Sequence, residues 1–149
     1  MATTPFVILT GNCKIGASAG TAVDVKDAVT AFTLRGARSV VEVPATLATG
    51  EISRLAGTAT YELEIAYLGD DAATTALTMI LWDALDPTSN PTGRLYFEGN
   101  LHGGTTSATN PKWSGTFIAT GADFGGEVGS LSATSQTFPL IARPTRATS

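Results

Sequence analysis

The stretch that most narrows what this chain can become is Gly57 to Leu68, where apolar and polar residues alternate without a break. Ala59, Tyr61, Leu63, Ile65 and Tyr67 fall on one face of an extended chain, and Thr58, Thr60, Glu62, Glu64 and Ala66 on the other. Successive strand side chains point to opposite sides, so this pattern makes one apolar face and one acidic, hydroxylated face. A helix would scatter the same residues around its axis.

Further strand signals surround it. Ala28–Arg35 and Arg38–Val43 read as two strands joined by a tight hairpin at Gly36-Ala37. Gly93–Asn100 and Lys112–Thr120 bracket a polar loop, and Ser130–Ile141 reads as a long strand whose Pro139 marks an edge or an end. Phe6–Leu9, Cys13–Ile15 and Thr21–Asp24 are candidate short strands. One helix is predicted over about 71–85. Leu77, Ile80, Leu81, Ala84 and Leu85 follow helical spacing, Asp70 or Asp71 is placed to cap the start, and Asp86-Pro87 ends it. Trp82, at the edge of that stripe, is expected to seal the helix onto the sheet. The segment Pro44–Ala56 reads as a long inter-strand loop, a length that usually carries function or disorder. Its Leu47, Ile52 and Leu55 need burial, either on their own domain or against a partner subunit. The expected architecture is therefore mainly β, a sandwich or barrel-like domain with one flanking helix.

The 149 residues suit a single domain over 1–149, with 143–149 expected to be a short frayed tail. Hydrophobic residues make up 43% of the chain, enough for a core, while charged residues make up only 15%. The average for soluble domains is roughly 25%. A surface so poor in charge is easily buried against another copy. Nine Lys plus Arg against thirteen Asp plus Glu, net −4, leave no basic groove for gripping nucleic acid. The run Phe6–Leu9 is too short for a secretory signal and has no basic segment before it, and no stretch has the length of a membrane span. Synthesis and assembly in a cytoplasm are expected.

Catalytic chemistry finds little support. His102 is the only histidine and no G-x-S-x-G turn presents a serine to it. His102-Gly103-Gly104 faintly resembles an oxyanion-hole loop but has no nucleophile, and nothing beyond residue type joins Cys13 to His102. Cys13, the only cysteine, reads as a small buried hydrophobe. One Cys and one His are too few for zinc, and Gly16–Gly20 lacks the lysine of a phosphate loop. Asp70, Asp71, Asp83 and Asp86 are explained by helix ends. Glu62 and Glu64 share a strand face, but threonines flank them where a glycosidase would place aromatic walls. No enzyme activity, metal or cofactor is expected.

Four stretches, in this order, resemble the major tail tube proteins of long-tailed bacteriophages, those of actinobacterial hosts in particular. They are AFTLRGARSVVEVPATLATGEISRLAG, TYELEIAYLGDDAATTALTMILWDAL, GADFGGEVGSLSATSQTFPL and IARPTRA. None is an invariant motif, and the likeness lies in their order and texture over most of the chain. The resemblance implies a β-sandwich subunit that forms hexameric rings, stacked into the hollow tail tube of a virion. It implies partners in its own copies and in the tape measure, terminator and distal tail proteins, with DNA passing through unbound and no membrane contact. In that picture Thr58, Thr60, Glu62 and Glu64 are lumen-facing candidates. Leu47, Glu51, Ile52, Arg54 and Leu55 are candidates for contact with a neighbouring subunit or ring, as are Phe124 and Glu127. Two other readings stay open. One is a different virion β-protein, such as a capsid decoration or tail terminator subunit. The other is a ligand-binding β-sandwich using Trp113, Tyr96 or Trp82, although Trp82 and Tyr96 are better explained as core.

Overall fold

A computed structural model describes residues 11–47, 50–69 and 76–149. Two antiparallel sheets face each other. Strands β1 (Asn12–Gly16), β2 (Val23–Asp24), β5 (Arg94–Asn100), β6 (Lys112–Ile118) and β8 (Thr145–Ala147) form the larger sheet, in the order β2-β1-β5-β6-β8. Strands β3 (Val29–Val43), β4 (Ser53–Leu68) and β7 (Ala133–Pro139) form the smaller one, in the order β3-β4-β7. The expected sandwich is present, and the sheets do not close into a barrel.

The alternation along β4 builds the interface between the sheets. Leu63, Ile65 and Tyr67 are buried while Glu62 is exposed. Phe32 and Leu34 of β3 stand opposite Ile65 and Leu63, and Phe138 of β7 pairs with Leu63 from the other side. The larger sheet answers with Cys13, Ile15, Leu95, Phe97 and Phe117. Phe117 links the layers, with its ring 6.3 Å from Phe97 and 5.0 Å from Phe138. After β7 the chain crosses between sheets. The Leu140 N–H donates to the Tyr61 carbonyl of the smaller sheet, and the Ile141 N–H donates to the Thr116 carbonyl of the larger one.

Several expectations need correction. Gly36-Ala37 is not a turn, because β3 runs unbroken and Gly36 pairs with Tyr61. A Cβ at Gly36 would stand 3.3 Å from the Tyr61 ring, so glycine here makes room for an aromatic side chain. The inter-strand loop is shorter than Pro44–Ala56, since β4 begins at Ser53. Thr145–Ala147 are no frayed tail but pair with Lys112–Ser114 at the sheet edge. Helix α1 spans Leu77–Ala84, with Ala76 as an extended N-cap that makes no side-chain hydrogen bond. Asp70 and Asp71 lie outside the described residues, as does the Phe6–Leu9 strand. Leu77, Thr78, Leu81 and Ala84 bury the inner face of α1, but Trp82 is 51% exposed and does not seal the helix onto a sheet. Tyr96 is not core either; it lies on the outer face of the larger sheet and donates to Glu98. Pro139 ends β7, an edge strand among the described residues.

Candidate assembly surfaces

The smaller sheet continues beyond the sandwich. β7 accompanies β4 only from Glu62 to Leu68, so β3 and β4 run on alone as a two-stranded ribbon from Ala37↔Thr60 to Val43↔Ser53. At about 3.3 Å per residue this ribbon is about 20 Å long. A register shift between Arg38 and Val40 marks a bulge, where Ser39 faces Gly57 and Thr58 and donates to the Thr58 carbonyl at 3.5 Å. Bulges increase local twist, which turns the ribbon relative to the sheet it leaves. Past the bulge, Val41↔Leu55 and Val43↔Ser53 alternate with Val40↔Ala56 and Glu42↔Arg54. The last pair is an ion pair at 3.0 Å.

This ribbon contributes nothing to the core. Val40, Val41, Ile52 and Leu55 are exposed, and so is Leu47 at the tip. Of the two fates open to Leu47, Ile52 and Leu55, folding back on their own domain is not what the structure shows. Glu51 is exposed beside them. An isolated two-stranded ribbon is marginal in water, and a run of exposed valine, leucine and isoleucine on one is a surface suited to a partner.

The outer face of the smaller sheet is polar. Cross-strand register sets Thr33, Arg35 and Ala37 beside Glu64, Glu62 and Thr60, with Thr137 and Ser135 beyond. Glu62, Glu64 and Thr60 therefore share one face, and Thr58 sits at the bulge. Glu64 is not a free carboxylate. Arg35 forms an ion pair with it and the Ser135 hydroxyl donates to it at 3.3 Å. With two glutamates and one arginine, the face keeps one negative charge among hydroxyls.

A third surface joins the outer face of α1 to the loop after β6. The Tyr67 hydroxyl donates to the Asp123 carbonyl at 3.4 Å and accepts from the Asp123 N–H at 3.3 Å, which positions the next residue, Phe124. Phe124 meets Trp82 edge to face, centroids 5.6 Å apart. Glu127 lies further along, in a turn closed by the Ser130 N–H. The pairing of Phe124 with Trp82 was not legible in the sequence, because no periodicity connects a helix to a distant glycine-rich loop.

Cys13, Asn110 and Glu98 each have a place in the packing or hydrogen bonding of the fold. The Cys13 thiol is pushed up to about 12 by burial, with Asp24 adding to it, which disfavours the thiolate at neutral pH. Asn110 organises the loop containing His102, donating to the carbonyls of His102 and Thr105 while accepting from the His102 N–H. Glu98 staples three strands of the larger sheet through Lys112 at 3.3 Å, Lys14 at 3.8 Å and the Tyr96 hydroxyl at 2.9 Å. Partial burial pushes its carboxyl up, but the Tyr96 and Lys112 hydrogen bonds and the two ammonium charges outweigh that and hold it low. No group of three potential metal ligands occurs among the described residues. No described helix is long and apolar enough to cross a membrane.

No protein-family model and no curated protein matches the sequence. The fold does match solved structures. One is a chain of the virion of a native gene transfer agent (GTA) particle, with a TM-score of 0.56 over 91% of this chain and 95% of that one. The two chains are 12% identical, so the likeness is one of fold.

Proposed function

We propose that this chain is a structural virion protein, the subunit of a tail tube built from stacked hexameric rings, with no enzymatic role. The observation that carries this reading is the projecting ribbon. A sandwich that extends unburied valine, leucine and isoleucine on bare strand edges is incomplete alone, and identical neighbours can cover both the side chains and the edges. The fold match along nearly all of both chains, to a chain of a virion particle, supports the same class.

The polar outer face of the smaller sheet suits the lumen of such a tube. A wall of hydroxyls carrying Glu62 and the Arg35–Glu64 pair presents no free cation to a phosphate backbone, and its residual negative charge repels DNA. Genome passes over such a wall without being held. The tip residues Leu47, Glu51 and Ile52 then reach a neighbouring subunit, with Arg54 and Leu55 behind them. Phe124 and Glu127 offer a further contact. Tape measure, terminator and distal tail proteins are the other partners in this reading, assembled in a host cytoplasm and retained in the virion tail.

Electron microscopy of the concentrated protein tests the proposal. Long hollow tubes with sixfold rings are expected. Discrete small rings or trimers would favour a terminator or decoration subunit, and a monomer at every concentration would overturn self-assembly.

A further inference from the structure

The ladder between β3 and β4 breaks register twice, in opposite senses. Between Val29↔Tyr67 and Ala31↔Ala66, β3 carries one residue more than β4, and that residue is Thr30. Between Arg38↔Ala59 and Val40↔Ala56, β4 carries one more than β3, so Gly57 and Thr58 stand against Ser39 alone. The first break has a reason inside the subunit. It sets Val29, which packs against the core, opposite buried Tyr67, and the Thr30 hydroxyl donates to the Ala66 carbonyl at 3.1 Å.

The second break has no such reason among the described residues. Arg38, Ser39, Val40 and Thr58 are exposed, and no member of the buried core lies within 38–59. Pairing does not need the extra residue either. If β4 passed straight from Thr58 to Ala56, Ser39 would meet Thr58. Val40↔Ala56, Val41↔Leu55, Glu42↔Arg54 and Val43↔Ser53 would all remain, on the same faces as before. A Cβ at residue 57 would overlap the Ser39 hydroxyl, so the bulge requires glycine for room. Glycine inside a strand and an interrupted ladder both weaken the pairing. What the bulge changes is direction, because it bends its strand and adds twist.

We infer that Gly57 is a positioning residue for assembly: the bulge it permits aims the ribbon out of the line of the smaller sheet, at the angle a neighbouring copy requires. The inference rests on the self-assembly proposed above and adds to it the residue that sets the ribbon's direction. Gly57 acts through the strands it bends and needs no contact with the neighbour.

Deleting Gly57 tests it, because the deletion straightens the ribbon and spares its pairs. Val41→Cys and Leu55→Cys, introduced together in a parallel set of proteins, report the pairing. Cα atoms directly opposite in an antiparallel ladder lie within disulfide reach in either type of pair. At high dilution this disulfide is expected to close within one chain to the same extent with and without Gly57, and the deletion is expected not to lower the denaturant midpoint. At a concentration where the full chain, without the added cysteines, forms tubes by electron microscopy, the chain lacking Gly57 is expected to form none. Tubes from the deleted chain would overturn the inference and leave self-assembly standing. A deleted chain that unfolds, or whose disulfide no longer closes, would also overturn it, since the subunit itself would then need Gly57. A full chain that stays monomeric at every concentration would sink the self-assembly reading and the inference with it.

Discussion

Burial decides what the ionisable residues can do. Cys13 is 6% exposed on the inner face of β1, and a thiol pushed up to about 12 is protonated throughout the neutral range. Ellman's reagent is therefore expected to leave the native protein unlabelled at pH 8 and to titrate one thiol after denaturation; rapid native labelling would contradict the packing. Glu98 makes an opposite, acid-side prediction. Its folded carboxyl lies below the ordinary value of 4.5, so the carboxylate's contribution is complete above that pH and drains away as pH falls through the lower folded value. Glu98→Gln removes the titration but keeps the shape. Denaturant melts of the two proteins should differ most above pH 5 and converge under stronger acid, and a gap that stayed constant with pH would mean the ion pairs with Lys14 and Lys112 contribute nothing. At this scale much was legible: the burial of Cys13, and the faces of Leu63, Ile65 and Tyr67, follow from residue type and period. The roles of Trp82 and Tyr96 were not, because large aromatics suit a core and an exposed patch equally and only tertiary packing chooses.

Among the elements, the β3–β4 pair sets both the sandwich and what projects from it. Alternation identified β4 because one face of it is buried, and the signal weakened where burial stops, between Ser53 and Thr60. A glycine in a strand carries the same mark as a glycine in a turn, so Gly36 split β3 on paper although it lies flat beneath Tyr61. β8 is three residues long, too short for any period to register, and it forms because β6 offers it an edge. The cross-strand pair Glu42–Arg54 was the one available hint that the chain past Val40 stays paired. Since Leu47 and Ile52 contact no core, replacing both with Asp is expected to change stability by no more than about 0.5 kcal/mol, the usual range for surface sites. Assembly should be abolished, because each charge would have to be buried against a neighbour. Chemical denaturation at low concentration and sedimentation at high concentration read these two effects separately; an unfolded double variant would mean the tip packs internally.

For the molecule as a whole, the question is which part folds by itself. Every member of the buried core lies outside residues 38–59, so the ribbon adds chain to be ordered without adding burial. In a lone subunit it is a cost, which a neighbour covering the ribbon would offset. That asymmetry has a measurable form. Residues 38–59 can be replaced by Asn-Gly, which closes a two-residue hairpin between the paired Ala37 and Thr60. The cross-links that join the sheets, Leu140 to Tyr61 and Ile141 to Thr116, all lie on the retained side. The shortened protein should unfold cooperatively as a monomer, with a melting temperature independent of protein concentration. The full chain should melt at a temperature that climbs with concentration, because association stabilises only the folded state. At high dilution the two curves should approach each other, since neither molecule then has a neighbour. If the shortened chain fails to fold at any concentration, the ribbon belongs to the core after all; if the full chain's melting temperature stays flat, the exposed valines and leucines are not an assembly surface.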